Sequence, residues 1–190
     1  AYRQALALWQ GNGESLNALS VMLWERGDYD GVLDLLKTAL AQDTNNLALW
    51  QLLFIAEKRK ELQGQIAESV AALEKQPGGR AEAEKLLELY AAAGQTNKLA
   101  EVLKQTIPLL KDDPDFLRTA AAYGEGVAFW EIELAAAEAL ALAEPDAAEN
   151  HLLLARAALH NDKKAEALQA ARTAVEKGGL PMREALEKSP

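Results

Sequence analysis

The sequence contains no cysteine among its 190 residues, so disulfides and thiolate metal sites are excluded. It has only six prolines, and alanine and leucine dominate an apolar fraction of 49%, which favours helix over sheet. No segment is typical of a strand, because apolar runs such as residues 32–36 have helical spacing. We therefore expect an all-α protein.

Positive charge is also scarce in this chain. The sequence has 20 lysines and arginines against 29 acidic residues, which gives a net charge of −9 and a pI near 4.8. Such a chain repels phosphate backbones and anionic membrane surfaces. The most apolar stretch, residues 127–143, contains glutamates and is a poor membrane span. We expect no nucleic-acid partner and no direct membrane insertion.

A repeat of about 34 residues is the main pattern that the sequence does contain. Leu16 and Leu19 are followed 34 residues later by Trp50 and Leu53, and similar helix-turn-helix spacing continues along the chain. Within the first unit, Gly27 ends one amphipathic helix before the next begins. Because two short helices cannot bury their apolar faces alone, the period predicts an α-solenoid of stacked antiparallel helix pairs.

The repeat predicts one solenoid domain in which the units differ in regularity. The second helix of the third unit should kink or end early at Pro108. In the fourth unit Gly124 and Gly126 flank the turn, and a second helix over residues 127–143 would be unusually long. We expect a truncated second helix at 1–12, units at about 13–46, 47–80, 80–113, 114–147 and 148–179, and the start of a terminal helix at 180–190.

These ends predict a piece excised from a longer protein, and the sequence displays no targeting signal. Localisation is therefore left open between a bacterial cytoplasm and a bacterial envelope.

The pattern resembles the tetratricopeptide repeat, in which large apolar residues occupy positions 4, 7, 11 and 24 and small residues position 8 of each unit. Leu16, Leu19, Leu23 and Leu36 match the large positions of the first unit. Phe54 departs from the small residue at position 8 of the second unit. The resemblance implies a right-handed superhelix that acts as a non-catalytic scaffold and binds a peptide or protein segment in its concave groove.

The same resemblance implies which residues face the groove, namely positions 2, 5, 9, 12 and 13 of the first helices. Four of the corresponding residues are cations, which favours a mildly basic, partly apolar groove and a peptide with acidic character. Scattered solvated charges are the alternative. The expected contact residues are Asn17, Val21, Trp24, Gln51, Ile55, Lys58, Lys85, Glu88, Arg118, Ala122, Arg156 and His160.

The tryptophans have separate expectations. Trp24 lies on the inner face of a first helix, where it is either a binding anchor or part of the core. Trp50 stands where the family buries an aromatic side chain, so we expect it in the core. Trp9 and Trp130 belong to second helices, which line the outer face or pack within the stack.

No arrangement of residues predicts catalysis, a metal or a cofactor. His151 and His160 are nine residues apart, and neither has the i, i+4 partner of a zinc-binding helix. Asp112, Asp113 and Asp115 lack the regular ligands of a calcium loop and are better explained as helix caps. We expect a protein that is not an enzyme.

A second interpretation of the function is a self-assembly or spacer module of a larger multi-repeat protein, for example in a bacterial envelope or export complex. The apolar surface that uncapped solenoid ends expose favours it.

Overall fold

A computed structural model describes residues 13–187, and the regular elements in that range are all α-helices. The helix predicted at residues 1–12 lies outside the described residues, and so does Trp9. The all-α class is confirmed. By internal contacts the chain divides into two compact units, one up to residue 67 and the other from residue 68. The helices are α1 (Gly13–Glu25), α2 (Tyr29–Gln42), α3 (Leu47–Lys75), α4 (Arg80–Ala92), α5 (Thr96–Thr106), α6 (Pro114–Gly126), α7 (Trp130–Ala143), α8 (Ala148–His160) and α9 (Lys164–Glu187).

The first unit contains the α1–α2 pair and the first half of α3. Its turn is closed by Asp28, whose Oδ1 accepts a hydrogen bond of 2.9 Å from the amide of Gly31 and so caps α2. All three helices contribute apolar side chains to one core, because each presents one apolar face to the others. This core includes Leu16, Leu23, Val32, Leu35, Leu36, Leu49, Leu53 and Ala56.

The second unit contains three helix pairs, α4–α5, α6–α7 and α8–α9, each of which packs on the next. Contacts between α4 and α6, α5 and α7, and α7 and α8 join the pairs. Burial of leucine, alanine and phenylalanine side chains stabilises this stack. The largest fully buried side chains in it are Leu86, Leu87, Leu99, Leu103, Phe116, Leu117 and Leu140.

One residue with a left-handed backbone recurs in the turn of each helix pair, that is, in α1–α2 of the first unit and in the three pairs of the second unit. These turn residues are Gly27, Gly94, Ala128 and Asp162, with φ between 56° and 71°. After each turn residue, the next amide donates a hydrogen bond of 2.9 Å to the carbonyl five residues earlier, which is a Schellman closure. The separation is 34 residues from Gly94 to Ala128 and again to Asp162, so the sequence period corresponds to this turn.

Helix α3 differs from the prediction of a helix pair over residues 47–80. It is one continuous helix of 29 residues. One period after Gly27 stands Glu61, and no residue between positions 28 and 93 has a positive φ. A glutamate disfavours the left-handed conformation, and the neighbouring residues 59–63 are all strong helix formers. The helix therefore continues where a turn was expected.

The pair α6–α7, which the sequence predicted as the fourth unit, also differs in detail from its prediction. Helix α6 continues through Gly124 and Gly126, and the turn residue is Ala128. Helix α7 begins only at Trp130, so its 14 residues match α2 in length and the predicted long second helix is wrong. Gly124 serves close packing instead, because a Cβ there would lie 2.7 Å from the backbone nitrogen of Glu133.

Two further features concern the ends of helices. Helix α5 ends at Thr106, before Pro108, as expected. Helix α9 is interrupted at Gly179, where φ is 64° and ψ is −147°. Between residues 13 and 187, no helix combines the length and the apolar character that a membrane crossing requires.

Candidate binding surface

In the first unit, the expected contact residues of α1 and α3 lie on exposed helix faces. Asn17 and Val21 are exposed on α1, and Gln51 and Ile55 are exposed on α3. In both helices the spacing of four residues puts the two side chains on one face. Lys58 continues the α3 face, and its Nζ lies 2.8 Å from Glu61 Oε2. The hydrogen bond to Glu61 raises the pKa of Lys58, and the negative charge of the same carboxylate raises it further.

Trp24 is the one expected contact residue that is partly buried. It packs against the core of the first unit, and its Nε1 is buried without a hydrogen-bond partner. The Arg59 guanidinium carbon lies 4.5 Å from the ring centroid, in the geometry of a cation–π contact. Of the two expectations for Trp24, the structure favours core packing over an exposed anchor.

In the second unit, the three first helices α4, α6 and α8 each expose two of the expected contact residues. These are Lys85 and Glu88, Arg118 and Ala122, and Arg156 and His160. Each pair is three or four residues apart and so shares a helix face.

A polar network at the N-terminal ends joins α4 to α6. The Arg80 guanidinium lies 3.0 Å from Glu84, 3.2 Å from Asp113 and 3.6 Å from Asp115. Asp113 also caps α6, since its Oδ1 accepts a hydrogen bond of 3.1 Å from the amide of Phe116. Asp113 is thus used as a helix cap, as the sequence indicated, whereas the ion pairs of Asp113 and Asp115 were not expected.

A second network joins α6 to α8. Arg118 pairs with Asp115 at 3.1 Å and also with Glu144, which follows α7. The Asn150 amide of α8 donates a hydrogen bond of 3.0 Å to the same Glu144 carboxylate. The helices α4, α6 and α8 are therefore neighbours in this order.

The charge on these faces is mixed. Arg118 is neutralised by its two carboxylate partners, whereas Lys85 and Arg156 have no ion-pair partner in the described part of the chain. Burial raises the pKa of Tyr123 on α6, and the carboxylates of Glu88 and Glu84 raise it further. The second unit thus presents Lys85 and Arg156 on its outer first helices, with acidic groups between them.

His160 is held by a residue that sequence reasoning missed. Its Nδ1 lies 2.7 Å from Glu133 Oε2, and its ring centroid is 4.4 Å from that of Trp130. Glu133 is fully buried, five residues after the turn residue Ala128, and its Oε1 has no partner. The equivalent residues of the other pairs are Val32, Leu99 and Ala167. The other three pairs have an apolar residue at this position, so the glutamate there was the signal that could have revealed this contact.

Trp50 and Phe54 of α3 are exposed, at 51% and 62% of their surface. The expectation that Trp50 belongs to the core is wrong, because α3 does not turn and no second helix of its own pair covers this face. The Trp50 indole N–H donates a hydrogen bond of 3.0 Å to the carbonyl of Thr44. Among residues 13–187, no three acidic, histidine or cysteine side chains are grouped so that they could hold a metal ion.

Comparison with known proteins gives similarity of fold only. No family model matches the chain, and no curated protein matches it. Among solved structures, YrrB, described as a TPR protein with an unusual peptide-binding site, is 12% identical and aligns over 100% of this chain and 98% of its own, with a TM-score of 0.47. A crystal structure of MamA is 15% identical over 92% of this chain and 94% of its own, with a TM-score of 0.45. MamA from Desulfovibrio magneticus is also 15% identical, over 93% and 97%, with a TM-score of 0.43.

Proposed function

We propose that this protein is a non-catalytic scaffold that binds a peptide or protein segment across the exposed first helices of its second unit. The observation that carries the proposal is the order of α4, α6 and α8, which the Arg80 and Arg118 networks hold side by side. Three adjacent helices with exposed residues on one side form an extended surface, and stacked repeats use such surfaces for binding.

The charges on this surface support a partner with acidic side chains at defined spacing. Lys85 and Arg156 lie on the outer two of the three helices and have no ion-pair partner among the described residues. Neighbouring packed helices are about 8–10 Å apart, so the axes of α4 and α8, which carry the two cations, are about 16–20 Å apart. An extended peptide spans that distance in about five or six residues.

The test uses two labelled 12-residue peptides of matched apolar and serine composition. One has two glutamates separated by five residues, and the other has lysines in their place. We expect fluorescence anisotropy to show that the chain binds the acidic peptide more tightly. Lys85→Glu combined with Arg156→Glu should weaken that binding at least about tenfold, since each contact loses its attraction and gains repulsion.

The matched control makes the same change of charge on exposed residues elsewhere in the second unit. Lys104→Glu combined with Arg172→Glu replaces one lysine and one arginine, on α5 and α9. Equal binding of the two peptides, or equal weakening by both double variants, would show that net charge alone is responsible and would contradict the proposed surface.

A further inference from the structure

A cavity of about 440 Å³ lies within the second unit, between the end of α3 and the helices α4 and α5. Its lining residues on α5 recur at helical spacing, at positions 98, 101, 102, 105 and 106, so the cavity follows one face of that helix. From Lys98 to Thr106 this face is about 12 Å long, and Leu109 extends it beyond the helix end. The cavity is therefore an elongated groove.

The floor of this groove is apolar, and part of its wall is left uncovered. Leu86 and Val102 are buried at the floor, whereas Val70 and Leu73 of α3 are only partly buried. Leu109, at one end, is 55% exposed. When the helices are aligned on their turn positions, the equivalents of the two α3 residues are buried on α5 and α7; these are Leu103, Thr106, Ala137 and Leu140. The wall thus keeps apolar surface that the neighbouring second helices bury.

Two carboxylates at the rim of the groove are available to a ligand. Glu74 of α3 and Glu101 of α5 are exposed and have no ion-pair partner among the described residues. Lys98, the one cation of the rim, has its Nζ 5.9 Å from the ring centroid of Tyr90, in the range of a cation–π contact. Burial raises the pKa of Tyr90, and the Glu101 carboxylate raises it further, so this carboxylate acts on the groove itself.

We propose that this groove binds an amphipathic helix of a partner protein, in which lysine or arginine residues lie beside the apolar face. Apolar side chains at helical spacing match a groove that follows a helix face, and such grooves receive helices through residues i, i+3, i+4 and i+7. They would pack on Val70, Leu73 and Leu109, and the basic residues would pair with Glu74 and Glu101. The preferred charge is opposite to that of the peptide proposed for α4, α6 and α8, so the two sites can be tested separately.

The first test uses two labelled peptides of about four helical turns with leucines at positions i, i+3, i+4 and i+7. The flanking residues are lysines in one peptide and glutamates in the other. We expect fluorescence anisotropy to show that the chain binds the lysine peptide at least about tenfold more tightly. No binding of the lysine peptide up to about 1 mM would overturn the proposal. A third peptide of the same composition has leucine at every second position, and its equal binding would overturn the helical occupant.

The rim carboxylates are tested with a matched pair of double variants. Glu74→Gln combined with Glu101→Gln should weaken binding of the lysine peptide about threefold to tenfold, because two ionic contacts are lost. The control, Glu125→Gln combined with Glu176→Gln, removes two exposed carboxylates that also have no ion-pair partner among the described residues. Both variants have a net charge of −9 + 2 = −7. Equal weakening by the two would assign binding to net charge and contradict the groove.

Leu109 provides an independent test of the apolar contact. Leu109→Ala should weaken binding of the lysine peptide about threefold to tenfold, because apolar surface that the peptide covers is removed. Leu142→Ala, at a residue 82% exposed on α7 and outside the groove, should leave binding unchanged. Circular dichroism checks that both variants remain helical. Equal binding by both would contradict the placement of the helix in this groove.

Two other occupants of the groove would give different results. If a second copy of the chain fills it, sedimentation equilibrium should show that the parent chain is a dimer and that Leu109→Ala is a monomer. If a small apolar cation fills it, phenethylammonium should displace the lysine peptide at a concentration similar to the dissociation constant of the peptide. Either result would overturn the assignment of the groove to a partner helix.

Discussion

Glu133 is the only charged side chain among the described residues that is buried, and it is 0% exposed. One of its carboxylate oxygens has no partner, and the other is 2.7 Å from His160 Nδ1. A buried carboxylate is costly unless it is paired, so His160 offsets part of that cost. The sequence identified His160 as a groove residue, whereas Glu133 stands out only when the repeats are aligned on their turn residues, and its pairing joins residues 27 apart on different helices.

We predict that His160→Ala lowers the free energy of unfolding by about 1–3 kcal/mol, because it leaves the Glu133 carboxylate without a partner. Glu133→Met, which fills the same space without charge, should be neutral or stabilising. In the Glu133→Met background, His160→Ala should then have a much smaller effect. Urea unfolding of the four chains, followed by circular dichroism, measures this double-mutant cycle. Equal losses in both backgrounds would mean that His160 acts through Trp130 and not through Glu133.

At the scale of elements, the sequence period predicted the helix pairs but could not decide every turn. Gly27 and Gly94 are recognisable as left-handed residues, whereas Ala128, Asp162 and Glu61 occupy the same position without being glycine. Val127 and Phe129 flank Ala128 and are weak helix formers, and Asn161 precedes Asp162. Glu61 is surrounded by strong helix formers, so a continuous helix is favoured over a turn at this position. Judging such a balance requires the packing of the whole pair, which a single sequence does not contain.

Gly124 illustrates the same limit, since a glycine near a turn can serve packing instead. We predict that Gly124→Ala destabilises the protein by about 1–3 kcal/mol, because the added Cβ would lie 2.7 Å from the Glu133 backbone nitrogen and would force α6 and α7 apart. Gly126→Ala is the matched control, as nothing lies within 4 Å of a Cβ there. It should be neutral or slightly stabilising in thermal unfolding. A similar loss of stability in both variants would indicate that glycine is required here because of the helix end, and not because of close packing.

For the whole molecule, composition and period together predicted an acidic all-α chain of stacked pairs, and the structure agrees. The division between two compact units at residues 67 and 68 was not predictable, because it falls inside α3, where the sequence indicated a turn. Net charge is the property that acts over the entire chain, at −9. The ion pairs of the described residues are mostly exposed, so each contributes little to stability.

We predict that self-repulsion dominates the response of this protein to salt. Screening of the excess negative charge should raise the thermal midpoint between 20 and 500 mM NaCl. The expected rise is about 2–4 °C for each kcal/mol by which screening increases the free energy of unfolding. The triple variant Glu68→Gln, Glu125→Gln and Glu176→Gln removes three exposed carboxylates that have no ion-pair partner among the described residues. Its net charge becomes −9 + 3 = −6. It should be more stable than the parent at low salt and should respond less to added salt. A midpoint that falls with salt would mean that attraction within the Arg80 and Arg118 networks outweighs the repulsion.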